Sequence, residues 1–392
     1  GTKLSMIQTL DTENEQLVLV KLFDLQSGEQ KFLVKADSRD LTIYSVIWAN
    51  NKQLLMRAAY ASHRYGTPVT ETRLMVIDVE TGKNRSVING QLQRKLVRTP
   101  QFQSNIVDLM PDDEHHFLLA LDGFSYGTGT SVVKVNLNGE LHEMVAHARK
   151  DLYDWVADRQ HRPRIALFRD DTRYEVQEKM LDTKEFRTLW QFDIFTEQEV
   201  WPIGFDADPN ILYVSAYHEG KLAIFKTDLS AAQPTLELVK ADENYDVPAD
   251  ISYSWQDNKI IAIGEEYVDS TYQAFQKAVD VALPDADNRI VSMSHDRNRY
   301  IIESSSATQP GSYLLGDRKE KSMTFLLNKF SQLDPELMVA KQKVEYKARH
   351  ILMKTKEEAQ GIIKELENKE LTPEDRALLT ALGQQIPYML TR

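Results

Sequence analysis

The chain contains 392 residues, of which 42% are hydrophobic and 27% charged, a composition typical of soluble globular proteins that excludes wholesale disorder. Its 47 basic and 59 acidic residues give a formal net charge of -12, which argues against a general nucleic-acid binder, because such proteins need a basic surface. No apolar stretch reaches the roughly 20 residues that a bilayer-spanning helix requires, so no membrane span is predicted.

Residue usage also disfavours metal and redox chemistry. Cysteine is absent, which excludes disulfides, zinc–thiolate sites and a cysteine nucleophile. The nine histidines are scattered without an H-E-x-x-H pattern, and Pro111–Glu114 lacks the spacing of a calcium-binding loop. The sequence therefore predicts no metal site. The compartment stays open between cytoplasm and periplasm, because a large domain can do without disulfides in either.

Short runs rich in Val, Ile, Leu, Tyr and Phe, separated by Gly, Asp, Asn and Pro, dominate residues 1–330 and indicate β-strands. The runs fall into groups of four with a period of about 50 residues. Residues 46–88, 106–144 and 201–239 each hold one such group, and the groups start near residues 1, 42, 103, 151, 198, 246 and 289.

A four-strand unit that recurs every 40 to 50 residues is typical of a β-propeller blade. We therefore predict an all-β fold, a seven-bladed β-propeller over residues 1–330. A pair of β-sandwiches and a β-solenoid are the alternatives, and the constant grouping by four favours the propeller over both. The first unit is one strand short, because Gly1–Thr9 enters directly at a turn and a strand. We expect the inner strand of that blade to be missing and the chain to be trimmed at its N-terminus.

One segment inside the predicted propeller has helical rather than strand periodicity. In Tyr272–Ala282 the side chains of Tyr272, Phe275, Val279 and Ala282 recur at helical spacing and would share one face. We predict a helix here.

Several segments resemble the propeller domain of the prolyl oligopeptidase family of serine peptidases, nearest its acylaminoacyl-peptidase-like branch. Ser45–Trp48 with the following Leu54 and Leu55 resembles that family's blade start, and Val76–Gly82 resembles its blade-end hairpin. The most specific resemblance covers residues 289–349. It comprises a Ser-x-Asp turn in the last blade, a Ser-Ser strand, a Pro-Gly-x-Tyr strand, a link at Phe330–Leu337 and an opening hydrolase strand at Val344–Arg349.

The resemblance implies that residues 331–350 link the propeller to a hydrolase domain, and that this domain, with its Ser, Asp and His triad, would follow Arg392. In the family the propeller covers the active site and admits only short peptides, and no metal or organic cofactor takes part. The expected partners are therefore the protein's own α/β-hydrolase domain and a short peptide substrate, and association into a homo-oligomer is left open. A helix at residues 272–282 would be an insertion in the penultimate blade.

The C-terminal segment departs from the family pattern. His350 stands where the family has Asp, and the expected next strand reappears only at 386–392. Between them, residues 351–385 predict an inserted helical hairpin, since apolar residues recur at helical spacing and Thr372 with Pro373 is typical of a helix start. In a competing interpretation, residues 348–359 resemble the first strand and helix of a parvulin-type prolyl isomerase, although the glycine-rich part of that fold is missing.

Four further patterns suggest a site, and each has a simpler explanation. Gly123–Gly127 matches G-x-S-x-G, but strands are predicted on both sides, so Ser125 is a turn residue rather than a nucleophile at a helix start. The pairs Glu265-Glu266 and Glu357-Glu358 point apart if extended, and the first is expected at a solvated strand end. His63–Tyr65 is expected in a long surface loop spanning 59–72. The tryptophans are expected in the core, at positions 48, 155, 190, 201 and 255.

The sequence thus offers no credible nucleophile, base and orienting acid, and it predicts no catalytic, cofactor-binding or metal-binding residue in this chain. The leading hypothesis is the access-restricting propeller of a serine peptidase. The alternative is a stand-alone propeller that acts as a binding scaffold without catalytic activity. A sugar-active or lactonase propeller would need a metal or paired acids on its axis, and no pattern indicates either.

Overall fold

The computed structural model describes residues 1–340 except residues 12–14, 128 and 141. Residues Gly1–Leu337 form one compact unit, and a second unit begins at Met338. The predicted helical hairpin at 351–385 and strand at 386–392 lie outside the described residues, as do residues 341–350 of the predicted link.

Within the described residues, seven antiparallel sheets follow one another along the chain, and each is made of three or four consecutive strands. We call these sheets blades 1 to 7. Blade 1 contains β1 (Lys3–Asp11), β2 (Gln16–Asp24) and β3 (Gln30–Asp37). Blade 2 contains β4 (Thr42–Trp48), β5 (Gln53–Arg64), β6 (Thr67–Asp78) and β7 (Asn84–Ser86), and the short helix α1 (Gly90–Gln93) follows it. Blade 3 contains β8 (Asn105–Asp108), β9 (His116–Leu121), β10 (Ser131–Asn136) and β11 (Glu143–Ala146).

Blades 4 to 7 repeat the arrangement. Blade 4 contains β12 (Leu152–Ala157), β13 (Pro163–Asp170), β14 (Arg173–Lys179) and β15 (Phe186–Asp193), and blade 5 contains β16 (Val200–Phe205), β17 (Ile211–His218), β18 (Lys221–Asp228) and β19 (Glu237–Lys240). Blade 6 contains β20 (Ile251–Tyr253), β21 (Ile260–Ile263) and β22 (Glu266–Tyr267), followed by the helix α2 (Ser270–Ala282). Blade 7 contains β23 (Asp287–Met293), β24 (Arg299–Ser306), β25 (Gln309–Asp317) and β26 (Ser322–Asn328), and a 3-10 turn lies at Pro335–Leu337.

The second strand of most blades is buried on both faces. In β9, for example, every residue from Phe117 to Leu121 is at most 2% exposed. A strand that is covered on both faces is a continuous apolar run rather than an alternating one. The blades are therefore stacked face to face, and the repeated apolar runs in the sequence are their middle strands.

Consecutive blades share clusters of buried hydrophobic side chains, and a hydrogen bond joins the last blade to the first. The Arg299 guanidinium of blade 7 donates to the carbonyl oxygen of Gly1, ahead of blade 1, at 2.9 Å. Seven consecutive blades that meet head to tail form a seven-bladed β-propeller, so the predicted all-β fold class is confirmed. The shared clusters include Val20 with Leu54, Leu74 with Phe117, Leu118 with Trp155, Val176 with Leu212, Tyr213 with Ile263, and Val279 with Ile302.

The first strand of each blade lies towards the axis of the ring. The first strands of neighbouring blades contact one another, as β1 does with β4, and β12 with β8 and β16. Blade 1 has three strands, as predicted, but the expectation that its inner strand is missing is wrong. The inner strand is β1, and among the described residues the strand that blade 1 lacks is the outer one, beyond β3. The sequence misled because no residue of β1 is fully buried, so the strand lacks the apolar run of a blade interior.

Bulges interrupt the first strands at comparable positions. One residue in each of five first strands is left out of the pairing with the second strand, and a bulge of this kind sharpens the local twist and re-aims side chains. The residues left out are Tyr44, Val107, Tyr153, Ile203 and Val291.

The helix predicted inside the propeller is present as α2. Asp269 caps its N-terminus by accepting hydrogen bonds from the backbone N–H groups of Thr271 and Tyr272. Tyr272 and Val279 are buried on the inner face, and α2 packs against blade 7. The helix follows the two-residue strand β22 and stands in the place of a fourth strand in blade 6.

The predicted loop at 59–72 is instead an extension of the hairpin formed by β5 and β6. The two strands pair without interruption as far as Arg64 and Thr67, and Tyr65 and Gly66 form the turn with positive φ angles of 53° and 82°. The pairing persists because buried Glu71 accepts hydrogen bonds from Arg64 Nε at 2.9 Å and Arg73 Nη2 at 2.8 Å. The polar residues that suggested a loop are therefore satisfied by one another.

Candidate functional site

A cavity of about 510 Å³ lies at the axis, where the ends of several first strands converge. Its size falls within the range of ligand-binding pockets in proteins. The lining comes from blades 2, 3, 6 and 7, the turn after β12 in blade 4, and the helix α2. It consists of Ile47, Arg57, Ile106–Leu109, Pro111, Arg159, Ser252–Trp255, Ile261, Tyr267, Tyr272 and Ile290–Met293.

Arg57 lies on β5, opposite Ser45 of β4, within an otherwise apolar stretch of the strand. Its Nε is buried and has no hydrogen-bond acceptor in the described part of the chain. Burial lowers the pKa of Arg57, because removal from water disfavours the charged guanidinium. Arg57 is therefore a desolvated cation on the wall of the cavity.

Arg159 reaches the cavity from the turn between β12 and β13. Its guanidinium lies 4.0 Å from the ring centre of Tyr253 in blade 6, a cation–π contact. It donates a hydrogen bond to Asn258 Oδ1, and Asn258 Nδ2 donates to the Arg159 carbonyl oxygen at 3.0 Å. Its Nε is also buried without an acceptor among the described residues. Blades 4 and 6 are not neighbours in the ring. Arg159 of blade 4 therefore connects two non-adjacent blades through its contacts with Tyr253 and Asn258.

Aromatic side chains form much of the remaining lining. Tyr253 donates its hydroxyl hydrogen to the Phe205 carbonyl oxygen at 2.8 Å, and burial raises the pKa of this phenol. Tyr267 and Tyr272 are stacked with 5.5 Å between ring centres, and Trp255 is 50% exposed. Rings of this kind present apolar surface to a ligand while keeping polar groups at their edges.

Asp108 is the one carboxylate in the cavity lining that the structure describes, and it is already occupied. Its Oδ2 lies 2.7 Å from His161 Nδ1, and its Oδ1 accepts from the Met110 N–H at 2.9 Å. His161 also contacts Asp112 through Nε2. The hydrogen bond to Asp108 raises the pKa of His161, which favours the imidazolium and an ion pair with Asp108. The cavity therefore carries more positive than negative charge.

The G-x-S-x-G motif, the Glu265-Glu266 pair and His63–Tyr65 do not line the cavity, whereas parts of three other segments singled out in the sequence do, namely Ile47, Tyr272 and Ile290–Met293. Ser125 lies between β9 and β10, with no helix after it, so it is a turn residue as predicted and the nucleophile-elbow geometry is not formed. Glu265 and Glu266 lie at the turn into β22, with side chains 74% and 77% exposed, and pair with Arg289 and Lys240. His63 and Tyr65 lie at the end of the long hairpin. Glu357 and Glu358 lie outside the described residues.

Sequence reasoning missed the cavity residues themselves. Trp155 is buried, and Trp48, Trp190 and Trp201 pack against hydrophobic clusters, but the prediction for Trp255 is wrong because half of this side chain is exposed beside the cavity. Arg57 could have been recognised in the sequence as a single cation inside an otherwise apolar strand. Arg159 could not, because its partners are about 100 residues away in the chain.

Across the described residues, no group of three or more His, Cys, Asp or Glu side chains is placed to hold a metal ion. In the same part of the chain, no helix is both long enough and apolar enough to cross a membrane.

No protein-family model and no curated protein matches the chain. Solved structures with a similar backbone include one of two prolyl endopeptidases compared for inter-domain dynamics, with 13% identity and a TM-score of 0.48, covering 86% of this chain and 49% of that one. A post-proline cleaving enzyme from Rickettsia typhi has 10% identity and a TM-score of 0.46, covering 86% of this chain and 53% of that one. An acylaminoacyl peptidase from Pyrococcus horikoshii has 12% identity and a TM-score of 0.34, covering 84% of this chain and 44% of that one. The chain spans about half the length of these enzymes.

Proposed function

We propose that this chain is the propeller of a serine peptidase of the prolyl oligopeptidase family, and that it restricts access of short peptides to a hydrolase active site in another part of the protein. The observation that carries the proposal is the run of family-like motifs from residue 289 onward. The motifs as far as Asp317 fall on β23, β24 and β25 and the turns between them, Phe330–Leu337 follows β26, and Val344–Arg349 lies outside the described residues. The Ser-x-Asp turn is closed by hydrogen bonds from Ser294 Oγ to Asp296 at 2.6 Å and from the Arg299 N–H to Ser294 Oγ at 2.9 Å.

The ring gives the proposed restriction a physical basis. Middle strands buried on both faces and the interlocked clusters between blades make the wall of the ring a packed layer rather than a loose one. A peptide that passes along the axis must fit a cavity of about 510 Å³, which a flexible oligopeptide can enter and a folded chain cannot. The ring then selects by size before any chemistry takes place.

The test is to label the natural protein with a fluorophosphonate probe, which reacts with activated serines, and to measure the intact mass of the labelled species. We expect one labelled serine on a protein larger than 45.1 kDa by a hydrolase domain of roughly 250 residues. A heat-denatured sample is the control, because an activated serine needs the folded site. An unlabelled protein of 45.1 kDa would contradict the proposal and would make the chain a stand-alone binding propeller.

A further inference from the structure

We propose that the axial cavity binds the carboxylate of a short peptide through the guanidinium groups of Arg57 and Arg159. The choice of a peptide as the ligand rests on the proposed function, whereas the anion site is carried by the cavity itself. A carboxylate presents two oxygens to the planar fork of a guanidinium, and this pairing is among the strongest hydrogen-bonding arrangements in proteins.

Arg57 and Arg159 are partly buried and differ from Arg164, the fully buried arginine of the described residues, and Arg85, which also keeps a buried Nη1 without an acceptor, lies outside the cavity. Arg164, which is 2% exposed, donates from Nε to the Lys179 carbonyl oxygen at 3.0 Å and forms an ion pair with Glu178. Arg57 and Arg159 have no carboxylate within ion-pair distance among the described residues, and each has a buried Nε without an acceptor. With no carboxylate partner among the described residues, the outer guanidinium nitrogens of both arginines can pair with a bound anion.

The charge around the cavity also favours an anion. Arg57 and Arg159 are the two cations in the described lining, and the carboxylate of Asp108 is held by His161. The protein as a whole carries a formal net charge of -12. The cavity is therefore a local positive region in a protein whose net charge is negative, and its attraction for a carboxylate acts at short range.

The rest of the lining fits a peptide better than a small inorganic anion. Tyr253, Trp255 and the stacked Tyr267 and Tyr272 offer apolar surface for side chains. The bulge residues Val107 and Val291 also line the cavity and add to its apolar surface. The arginines and the aromatic and apolar surface together match the carboxylate and the side chains of an oligopeptide.

The test uses isothermal titration calorimetry on the 392-residue chain with N-acetyl-trialanine and with its C-terminal amide. The two ligands differ only in the carboxylate. We expect the acid to bind about tenfold or more tightly than the amide, because a hydrogen bond to a charged group outweighs a neutral one. Arg57→Gln and Arg159→Gln should each bring the acid-to-amide ratio close to one.

Two further variants keep the test decisive if one of these proteins is poorly folded. Arg57→Lys retains the charge and should keep part of the preference for the acid. Arg169→Gln is the matched control, because Arg169 lies 5.7 Å from the Tyr174 ring centre and outside the cavity, and it should keep the full preference. Thermal unfolding of every variant reports whether it is folded.

Equal affinity for acid and amide, or no binding of either, would overturn the inference. So would an unchanged preference in a folded Arg57→Gln or Arg159→Gln protein. These results are separable from those for the proposed function. A labelled peptidase without acid preference keeps the proposed function and removes the anion site, and an unlabelled 45.1 kDa protein with acid preference does the reverse.

Discussion

The interface between blades 4 and 5 and the closure between blades 7 and 1 each join two neighbouring blades of the ring, but different interactions hold them. Blades 4 and 5 share a large buried cluster, in which the Trp201 ring lies 4.8 Å from Tyr174 and 5.0 Å from Phe192. Blades 7 and 1 share no buried hydrophobic cluster among the described residues. They meet at Gly1, which accepts a hydrogen bond from Arg299 and lies against Ser294.

Charged groups deepen the contrast between the two interfaces. Arg164 and Arg187 both bind Glu178 of β14, and both also donate to backbone carbonyl oxygens of blade 5, including those of Pro209 and Leu229. At the closure, Arg299 is held by Asp317 of its own blade at 3.4 Å. The interface between blades 4 and 5 is thus held by a hydrophobic core and ion pairs, whereas that between blades 7 and 1 is held mainly by hydrogen bonds. Local opening of the ring should therefore begin between blades 7 and 1.

The largest expected effect comes from emptying the core of the blade 4–5 interface. Phe205→Ala removes a ring that is fully buried in that cluster and leaves a cavity behind. We expect a loss of about 3–5 kcal/mol in the free energy of unfolding. Urea denaturation measures it, and Phe325→Ala on the exposed face of β26 is the control, with an expected change within about 0.5 kcal/mol. Similar losses in the two variants would contradict the account.

The next effect tests the charged part of the same interface. Glu178→Gln leaves Arg164 and Arg187 without their shared carboxylate, and breaking a buried pair costs about 3 kcal/mol, at the low end of the usual range because Asp158 lies 3.6 Å from Arg164. Denaturant unfolding again reports the loss. The exposed pair of Glu237 and Lys226 provides the comparison, since Glu237→Gln should cost well under about 1 kcal/mol.

A pH-dependent effect is expected where blade 4 meets blade 3. The hydrogen bond to Asp108 raises the pKa of His161 above its usual value of 6.5, and Asp112 adds to this shift, so protonated His161 stabilises the folded protein. This contribution is fully present below pH 6.5 and is lost as pH rises through the raised folded-state pKa. His161→Gln should therefore lower the melting temperature more at pH 6 than at pH 9. An equal difference at both pH values would show that the ion pair contributes nothing.

The smallest effect on global stability is expected at the closure. Arg299→Ala should change the free energy of unfolding by about 1 kcal/mol or less, because it removes partly exposed hydrogen bonds and no core. Hydrogen exchange is the sharper measurement. Amides of β1 should exchange faster than those of β17 in the unaltered protein, and the substitution should widen the difference. Arg318→Ala in the same blade is the control, and slow exchange throughout β1 would remove the contrast between the interfaces.

An element of this fold could be predicted from the sequence where its burial produces a recognisable pattern of apolar residues. The seven blades were predictable because middle strands covered on both faces are continuous apolar runs, as in β9 and β17. The helix α2 was predictable from its spacing. The inner position of β1 was not predictable, because its side chains are only partly buried. The long β5–β6 hairpin was not predictable either, because the polar residues that pair with Glu71 are of the kinds usually found in loops.

The candidate site was the least predictable part of the molecule. Its residues lie up to 246 positions apart in the chain, from Ile47 to Met293, and they meet because the ring brings its first strands together. Arg159 is next to Tyr253 only in the folded ring, and an unpaired guanidinium has the same sequence signature as a solvated one. A site whose residues come from several blades has no recognisable motif in any single segment of the sequence.

The most direct test of the central claim, that the ring selects short peptides, is a comparison of cleavage rates by the natural protein. One substrate is a short peptide, and the other is the same sequence within a folded protein of more than 100 residues. The account predicts that the short peptide is cleaved and that the same bond in the folded protein stays intact. Cleavage of both at similar rates, or of neither, would contradict it.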